Sequence, residues 1–178
     1  PIIGSDDIYY YRNKMEFSFS DMRWLTPEEI KRADEITDRN GLGFHIAGAW
    51  DKVLDIKKCY LQADPSNAIR LEIKRFALEN EMSFYSPRMQ QGLLRSMMIR
   101  LSSTGELMVV IQFFSEDEKI ELLLAHLANR FPEITSLQYC INSKGNDALY
   151  DQDIICYKGQ DCIYEEMEGL RFKINAKS

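Results

Sequence analysis

The chain has 178 residues, enough for one domain of ordinary size, and its 45% hydrophobic and 11% aromatic content supports a real core rather than wholesale disorder. Its 28 acidic against 22 basic residues give a net charge of -6, which argues against strong independent nucleic-acid binding but leaves room for a local basic face. No apolar run approaches the ~20 residues that a membrane helix needs, so no membrane partner is expected.

In chain order, residues 8–20 (IYYYRNKMEFSFS) alternate Met15, Phe17 and Phe19 with Lys14, Glu16 and Ser18, the period of a half-buried strand. Thr26-Pro27-Glu28-Glu29 is a helix start, with a capping Thr, Pro at the first helical position and Glu three residues after the cap. Ile30, Ala33 and Ile36 give that helix a thin apolar stripe, and Asn40-Gly41 stops it. Residues 21–40 therefore read as a short, exposed helical insertion between two paired strands.

Residues 43–47 and 52–56 read as strands about a turn at Gly48-Ala49-Trp50-Asp51. Trp50 is either a half-buried packing residue or a stacking platform for a base. Asp64-Pro65 opens the next helix with Asp64 as cap; Ile69, Ile73, Phe76 and Ala77 form its core stripe, with Arg70 placed mostly elsewhere. Two strands follow, 97–101 and the nearly continuous apolar run 107–114. Ser115-Glu116-Asp117-Glu118 reads as a capping box, and Ile120, Leu123, Leu124 and Leu127 as the buried face of a third helix. Strand 134–141 completes a strand–strand–helix–strand unit. Strands 154–157 and 162–167 read as a hairpin across Lys158-Gly159-Gln160-Asp161, and Gly169 turns the chain into 170–174. The expected fold is α+β: an antiparallel or mixed sheet of hairpins with about three helices in a single domain.

The chemistry-bearing residues are few. No Walker loop, GxSxG, HExxH or GxGxxG occurs, and the two histidines, His45 and His126, lie far apart in sequence. Cys140, Cys156 and Cys162 sit in apolar surroundings and read as buried reduced thiols of a cytoplasmic protein. Cys59 follows Lys57 and Lys58, and neighbouring cations favour the thiolate that metal ligation or nucleophilic chemistry needs. Glu165, Glu166 and Glu168 read as a solvated strand face. Basic residues gather as Arg12 with Lys14, Lys52 with Lys57 and Lys58, and Arg88 with Arg95 and Arg100. If they converge, they make a phosphate-binding face with weak, salt-sensitive affinity.

Five stretches in order, YRNKMEFSFS, GFHIAGAWDKVLDIKKC, GLLRSMMIRLSSTGELMV, INSKGNDALYDQD and GLRFKINAKS, resemble the central region of bacterial RNA (uracil-5-)-methyltransferases of the iron–sulfur-containing type. The resemblance spans essentially all of residues 1–178. It implies a parent enzyme that moves a methyl group from S-adenosylmethionine to carbon five of a uridine, in ribosomal RNA ahead of transfer RNA. It also implies an N-terminal RNA-binding barrel and a C-terminal methyltransferase domain as partners of this region. By the same resemblance Cys59 is one ligand of a four-iron–four-sulfur cluster whose other cysteines lie upstream. The cofactor loops, cysteine nucleophile and carboxylate base would lie downstream. The start on Pro1 and the unterminated ending at 175–178 fit an excised central domain, which is expected to be inactive, cluster-free and without bound cofactor. Candidate RNA contacts are Arg12, Lys14, Trp50, Lys52, Lys57, Lys58 and Arg95. His45 stands where the family often carries a basic residue, and 21–40 is longer than the family's usual turn. The alternative reading is a stand-alone α+β RNA-binding or interaction module without methyltransferase activity.

Overall fold

In the computed structural model, which describes residues 2–4 and 6–178, β1 (Lys14–Ser20) buries Met15, Phe17 and Phe19 on one side of the sheet. Side chains at period two reach opposite faces, so this alternation decides which face carries the core. β2 (Gly41–Ile46), β3 (Ala49–Asp55), β4 (Leu94–Leu101), β5 (Leu107–Phe113), β6 (Ser136–Ile141) and β7 (Ile155–Gly159) join it in the order β3-β2-β1-β4-β5-β6-β7. Every neighbouring pair is antiparallel except β5 and β6, which run parallel. A parallel pair needs a crossover, and α3 (Lys119–Arg130) supplies it.

α3 and α2 (Ser66–Glu79) cover one face of the sheet. Ile69, Ile73 and Ala77 from α2 and Leu123, Leu124 and Leu127 from α3 are fully buried against Phe17, Leu42, Ile99, Val109 and Leu137. On the other face a two-stranded hairpin, β8 (Cys162–Met167) and β9 (Leu170–Asn175), packs Ile163 on Met98, Met108 and Val110. The architecture is a single α+β domain with a mixed sheet, as expected.

The insertion has a structural task. α1 (Pro27–Ile30) carries the expected capping box, with Thr26 accepting from the Glu29 N–H and Glu29 accepting from the Thr26 N–H. It is a single turn followed by a 3-10 turn at Ala33–Glu35, and neither buries a residue; the expected stripe is not a packing stripe. Just before it, the Trp24 N–H donates to Val53 O at 2.7 Å and the Val53 N–H to Met22 O at 3.4 Å. The segment thus occupies the open edge of β3, where unpaired backbone would invite another strand.

Several local expectations are corrected. The first strand begins at Lys14, because residues 10–12 instead run beside the loop after β3, with the Tyr10 N–H donating to Tyr60 O and the Arg12 N–H to Leu61 O. Trp50 belongs to β3, and the turn before it narrows to Ala47-Gly48. Asp64 does not cap α2: Pro65 holds the cap position with no side-chain bond. α3 starts at Lys119 without the capping box; Asp117 accepts from the Lys119 N–H instead. β7 and β8 do not pair with each other. Gly159, at φ 84, lies against Thr135 O, and the Gln160 N–H donates to that same oxygen, so the chain leaves β7 for the second sheet. Cys140 and Cys162 are buried as expected, whereas Cys156 is exposed on β7.

Candidate nucleic-acid interface

Cys59 lies in the loop between β3 and α2 and is buried. The first turn of α2 grips this loop. The Cys59 N–H donates to Asn67 Oδ1 at 2.7 Å, and Asn67 Nδ2 donates to Cys59 O at 3.0 Å. Arg70, expected off the buried stripe, is fully buried and donates to Ile56 O at 2.6 Å, Lys57 O at 3.3 Å and Leu42 O at 3.4 Å. Its guanidinium also lies 5.3 Å from the Phe17 ring, and its Nε has no partner among the described residues. Burial pushes the Arg70 pKa down from the ordinary arginine value, with Asp55 and Cys59 acting against that shift.

The same loop carries Lys57 and Lys58 to the surface, where Lys58 Nζ sits 5.0 Å from the Tyr60 ring. Tyr60, Tyr9 and Tyr10 form an exposed aromatic triangle with ring centroids 5.8 to 6.4 Å apart. Exposed Arg12 stands at this end too, since its backbone pairs with Leu61. Lys14 opens β1 nearby but is bonded to Glu16 at 2.7 Å.

A second patch lies at the other end of β3. Trp50 is 63% exposed, with the Arg88 guanidinium 5.9 Å from its ring. Arg88 Nε is anchored to Asp51 Oδ2 at 2.5 Å, which holds the Asp51 carboxyl below the usual range. Lys52 Nζ lies 5.5 Å from the Trp24 ring. Beside Trp50 a cleft of about 250 Å³ opens between the β2–β3 hairpin, the loop around Tyr85 to Gln90, and Gly145 and Asp147. β3 spans roughly 20 Å at strand rise, so the sequence's basic groups form two patches rather than one face.

Arg95 joins neither. It occupies a bulge where the β4–β5 register shifts between Leu94 and Ser96, and a bulge re-aims a side chain. Buried at 3% exposure, its guanidinium donates to Asn142 O and Lys144 O at 2.6 Å, to Asn146 O at 3.3 Å and to Asp147 Oδ1 at 2.5 Å. Tyr85 lies against it at 4.5 Å. The Nη donors are turned inward on loop 142–147, and the buried Nε has no partner among the described residues. Arg100 is likewise engaged, donating to Ser178 O.

His126 joins the two helices: Nε2 lies 2.7 Å from Glu72 Oε1 and the ring stacks on Phe76 at 4.1 Å. Among the described residues no three His, Cys, Asp or Glu side chains stand together as a metal site. Cys59 alone is not a donor set for a four-iron cluster, which needs four thiolates or their equivalents. Glu165 accepts from the Ser103 hydroxyl and from the Ser103 N–H at 3.1 Å; the hydroxyl bond first, and the backbone bond after it, lower its pKa against desolvation and pin β8 to the β4–β5 turn.

No protein-family model matches the chain. Individual proteins do. It is 53% identical to an uncharacterized RNA methyltransferase of Porphyromonas gingivalis, a match covering all of this chain and 40% of that protein. A second, from Bacteroides thetaiotaomicron, is 52% identical with the same coverage. A third, from Chlorobaculum tepidum, is 31% identical over all of this chain and 38% of its own length. The chain is homologous throughout to one part of proteins named RNA methyltransferases. It spans about 40% of the length of the first two. Among solved structures, the tRNA (uracil-54, C5)-methyltransferase of Pyrococcus abyssi, in complex with S-adenosyl-L-homocysteine, superposes with a TM-score of 0.69 over 96% of this chain and 37% of that one. At 22% identity this establishes a shared fold.

Proposed function

We propose that this chain is the central, RNA-positioning region of an S-adenosylmethionine-dependent RNA (uracil-5-)-methyltransferase and carries out no methyl transfer alone. The observation that carries the reading is the pair of exposed cation–aromatic patches at the two ends of β3, Lys58 with Tyr60 and Arg88 with Trp50. Aromatic faces accept bases, and nearby cations accept phosphates without reading sequence. The end-to-end match to proteins named RNA methyltransferases supports the enzyme class, and the S-adenosyl-L-homocysteine in the Pyrococcus structure supports the methyl donor. Ribosomal RNA stands ahead of transfer RNA as substrate, in the cytoplasm, with the N-terminal and C-terminal domains as partners.

In this reading Arg12, Lys57 and Lys58 meet backbone phosphates, Trp50 and Lys52 meet RNA at the other end, and Arg95 holds the loop beside them. Cys59 supplies one thiolate to an iron–sulfur cluster completed by cysteines outside this chain. The passage of residues 10–12 alongside Tyr60 and Leu61 supports that role, because it leads the N-terminal part of the chain past the Cys59 loop.

The test is methyl transfer from labelled S-adenosylmethionine to ribosomal and transfer RNA, followed by identification of the modified base. A protein of the relatives' full length is expected to make 5-methyluridine, and the 178-residue chain none. Turnover by the chain alone, or a product methylated elsewhere, overturns the proposal. Failure of the longer protein on every RNA leaves the stand-alone module as the better account.

A further inference from the structure

The cleft beside Trp50 has features that phosphate contact does not use. Its walls are two aromatic side chains of different character. Trp50 is exposed, with Arg88 near its ring, whereas Tyr85 is 7% exposed and lies against Arg95 and Phe114, whose ring centroid is 5.3 Å away. Around them stand polar groups, the His45 imidazole, the Gln90 amide and the Trp50 indole N–H, and none of these side chains has a hydrogen-bond partner among the described residues. Gln90 is held at φ 50, a conformation that a non-glycine residue adopts at a cost and that the Ser86–Gln91 bridge stabilises.

The charge in the cleft selects the ligand. Arg95 and Asp147 line the cleft as an ion pair in which the arginine is buried and the carboxylate half-exposed, and Arg88 is not part of the lining, so the accessible half of that pair is the Asp147 carboxylate and no free cation among the described residues faces the opening. Asp147 Oδ1 is engaged by Arg95 and its Oδ2 has no partner among the described residues. A carboxylate repels phosphate and accepts from an amino group, as acidic side chains do from cytosine N4. The volume of about 250 Å³ falls below the ~300–1,000 Å³ typical of pockets for drug-sized ligands, which suits one planar ring system.

We propose that this cleft takes a single unstacked nucleobase bearing an exocyclic amino group, stacked on Trp50 and read by Asp147. Adenine, cytosine and guanine carry such a group, whereas uracil has only its ring N3–H to donate, so the cleft favours a base other than the uracil that is methylated and is a second recognition point on the substrate RNA. The inference rests on the RNA-binding reading above and adds base selectivity to it.

Only Trp24 and Trp50 absorb as tryptophan, so a Trp24→Phe background makes Trp50 the sole reporter. The probes are single-stranded nine-nucleotide oligo-A, oligo-C and oligo-U RNA at low salt. Trp50 emission and the anisotropy of end-labelled RNA are followed together. Oligo-A and oligo-C are expected to quench Trp50 and to bind at least about fivefold more tightly than oligo-U, the low end of one specific base contact. Asp147→Asn is expected to remove that preference while retaining binding, and Trp50→Ala to weaken oligo-A about fivefold or more, with Trp50→Phe restoring most of it. Equal binding of all three RNAs, or an intact preference in Asp147→Asn, overturns the assignment of Asp147. RNA binding without any change in Trp50 emission overturns the cleft and leaves the RNA reading standing. No binding in anisotropy overturns both.

Discussion

Asn67 closes both backbone hydrogen-bonding positions of Cys59, accepting from its N–H at 2.7 Å and donating to its carbonyl at 3.0 Å. A buried side-chain amide used in this way substitutes for a missing strand neighbour, because the loop after β3 has left the sheet. Asn67→Ala leaves a buried N–H and C=O unpaired and is expected to cost about 1–3 kcal/mol. A lower urea midpoint with an unchanged m-value checks it; an unchanged midpoint contradicts the clamp.

Arg70 makes the second half of that clamp. Arg70→Met keeps much of the volume and removes the buried charge, a replacement that often stabilises a buried ion pair. Here the partners are carbonyl oxygens of Leu42, Ile56 and Lys57, which would lose their donor. Arg70→Met is therefore expected to destabilise by about 2 kcal/mol or more, measured by the same denaturation.

Arg95→Lys tests the inward-facing arginine. A lysine cannot reproduce a planar fork that serves four acceptors. Amide hydrogen exchange over residues 142–147 is expected to accelerate while that of α2 stays protected. Unchanged exchange in the loop would show that other contacts hold it.

The α2–α3 contact carries a pH dependence. Glu72 is held down at about 2, first by its hydrogen bond to Arg75, with a further contribution from His126 and opposition from desolvation. A carboxyl with a depressed folded-state pKa stabilises fully above its ordinary value near 4.5 and loses that contribution as pH falls toward about 2. Thermal melts of the native chain and Glu72→Gln are expected to differ most above pH 4.5 and to converge below it. A difference independent of pH removes Glu72 from the network.

Cys59→Ser tests the proposed ligand. In the longer protein, iron per polypeptide is expected to fall, together with the visible charge-transfer absorption of an iron–sulfur cluster. Unchanged iron takes Cys59 out of the ligand set.

Much of this architecture was legible in the sequence where one period decided the outcome. Met15, Phe17 and Phe19 alternate cleanly, and Leu123, Leu124 and Leu127 form a helical stripe, so both faces follow from spacing alone. Arg70 shows the limit. It lies three and seven residues before Ile73 and Ala77, on the buried face, but its charge suggested solvent. Carbonyls from a distant loop supplied the partners that allow burial, and nothing local encodes them. The turn at Lys158 to Asp161 has the composition of a hairpin turn. Composition does not say whether a turn folds back on its own strand or passes to another sheet, and the close approach of Gly159 to Thr135 decides it. At the interface, Trp50 and the lysines were visible as residue types. The bulge that turns Arg95 inward, and the pairing of Arg88 with Asp51, arise only from tertiary structure.

Anisotropy of labelled single-stranded RNA, titrated between 50 and 200 mM salt, measures how the protein meets RNA. A few phosphate contacts on a chain of net charge -6 predict weak binding with a log–log salt slope of roughly -2 to -4. Lys57→Ala and Lys58→Ala should each lower the slope's magnitude by up to about 1. Tight binding indifferent to salt, or the same slope in both variants, would contradict the RNA-binding reading.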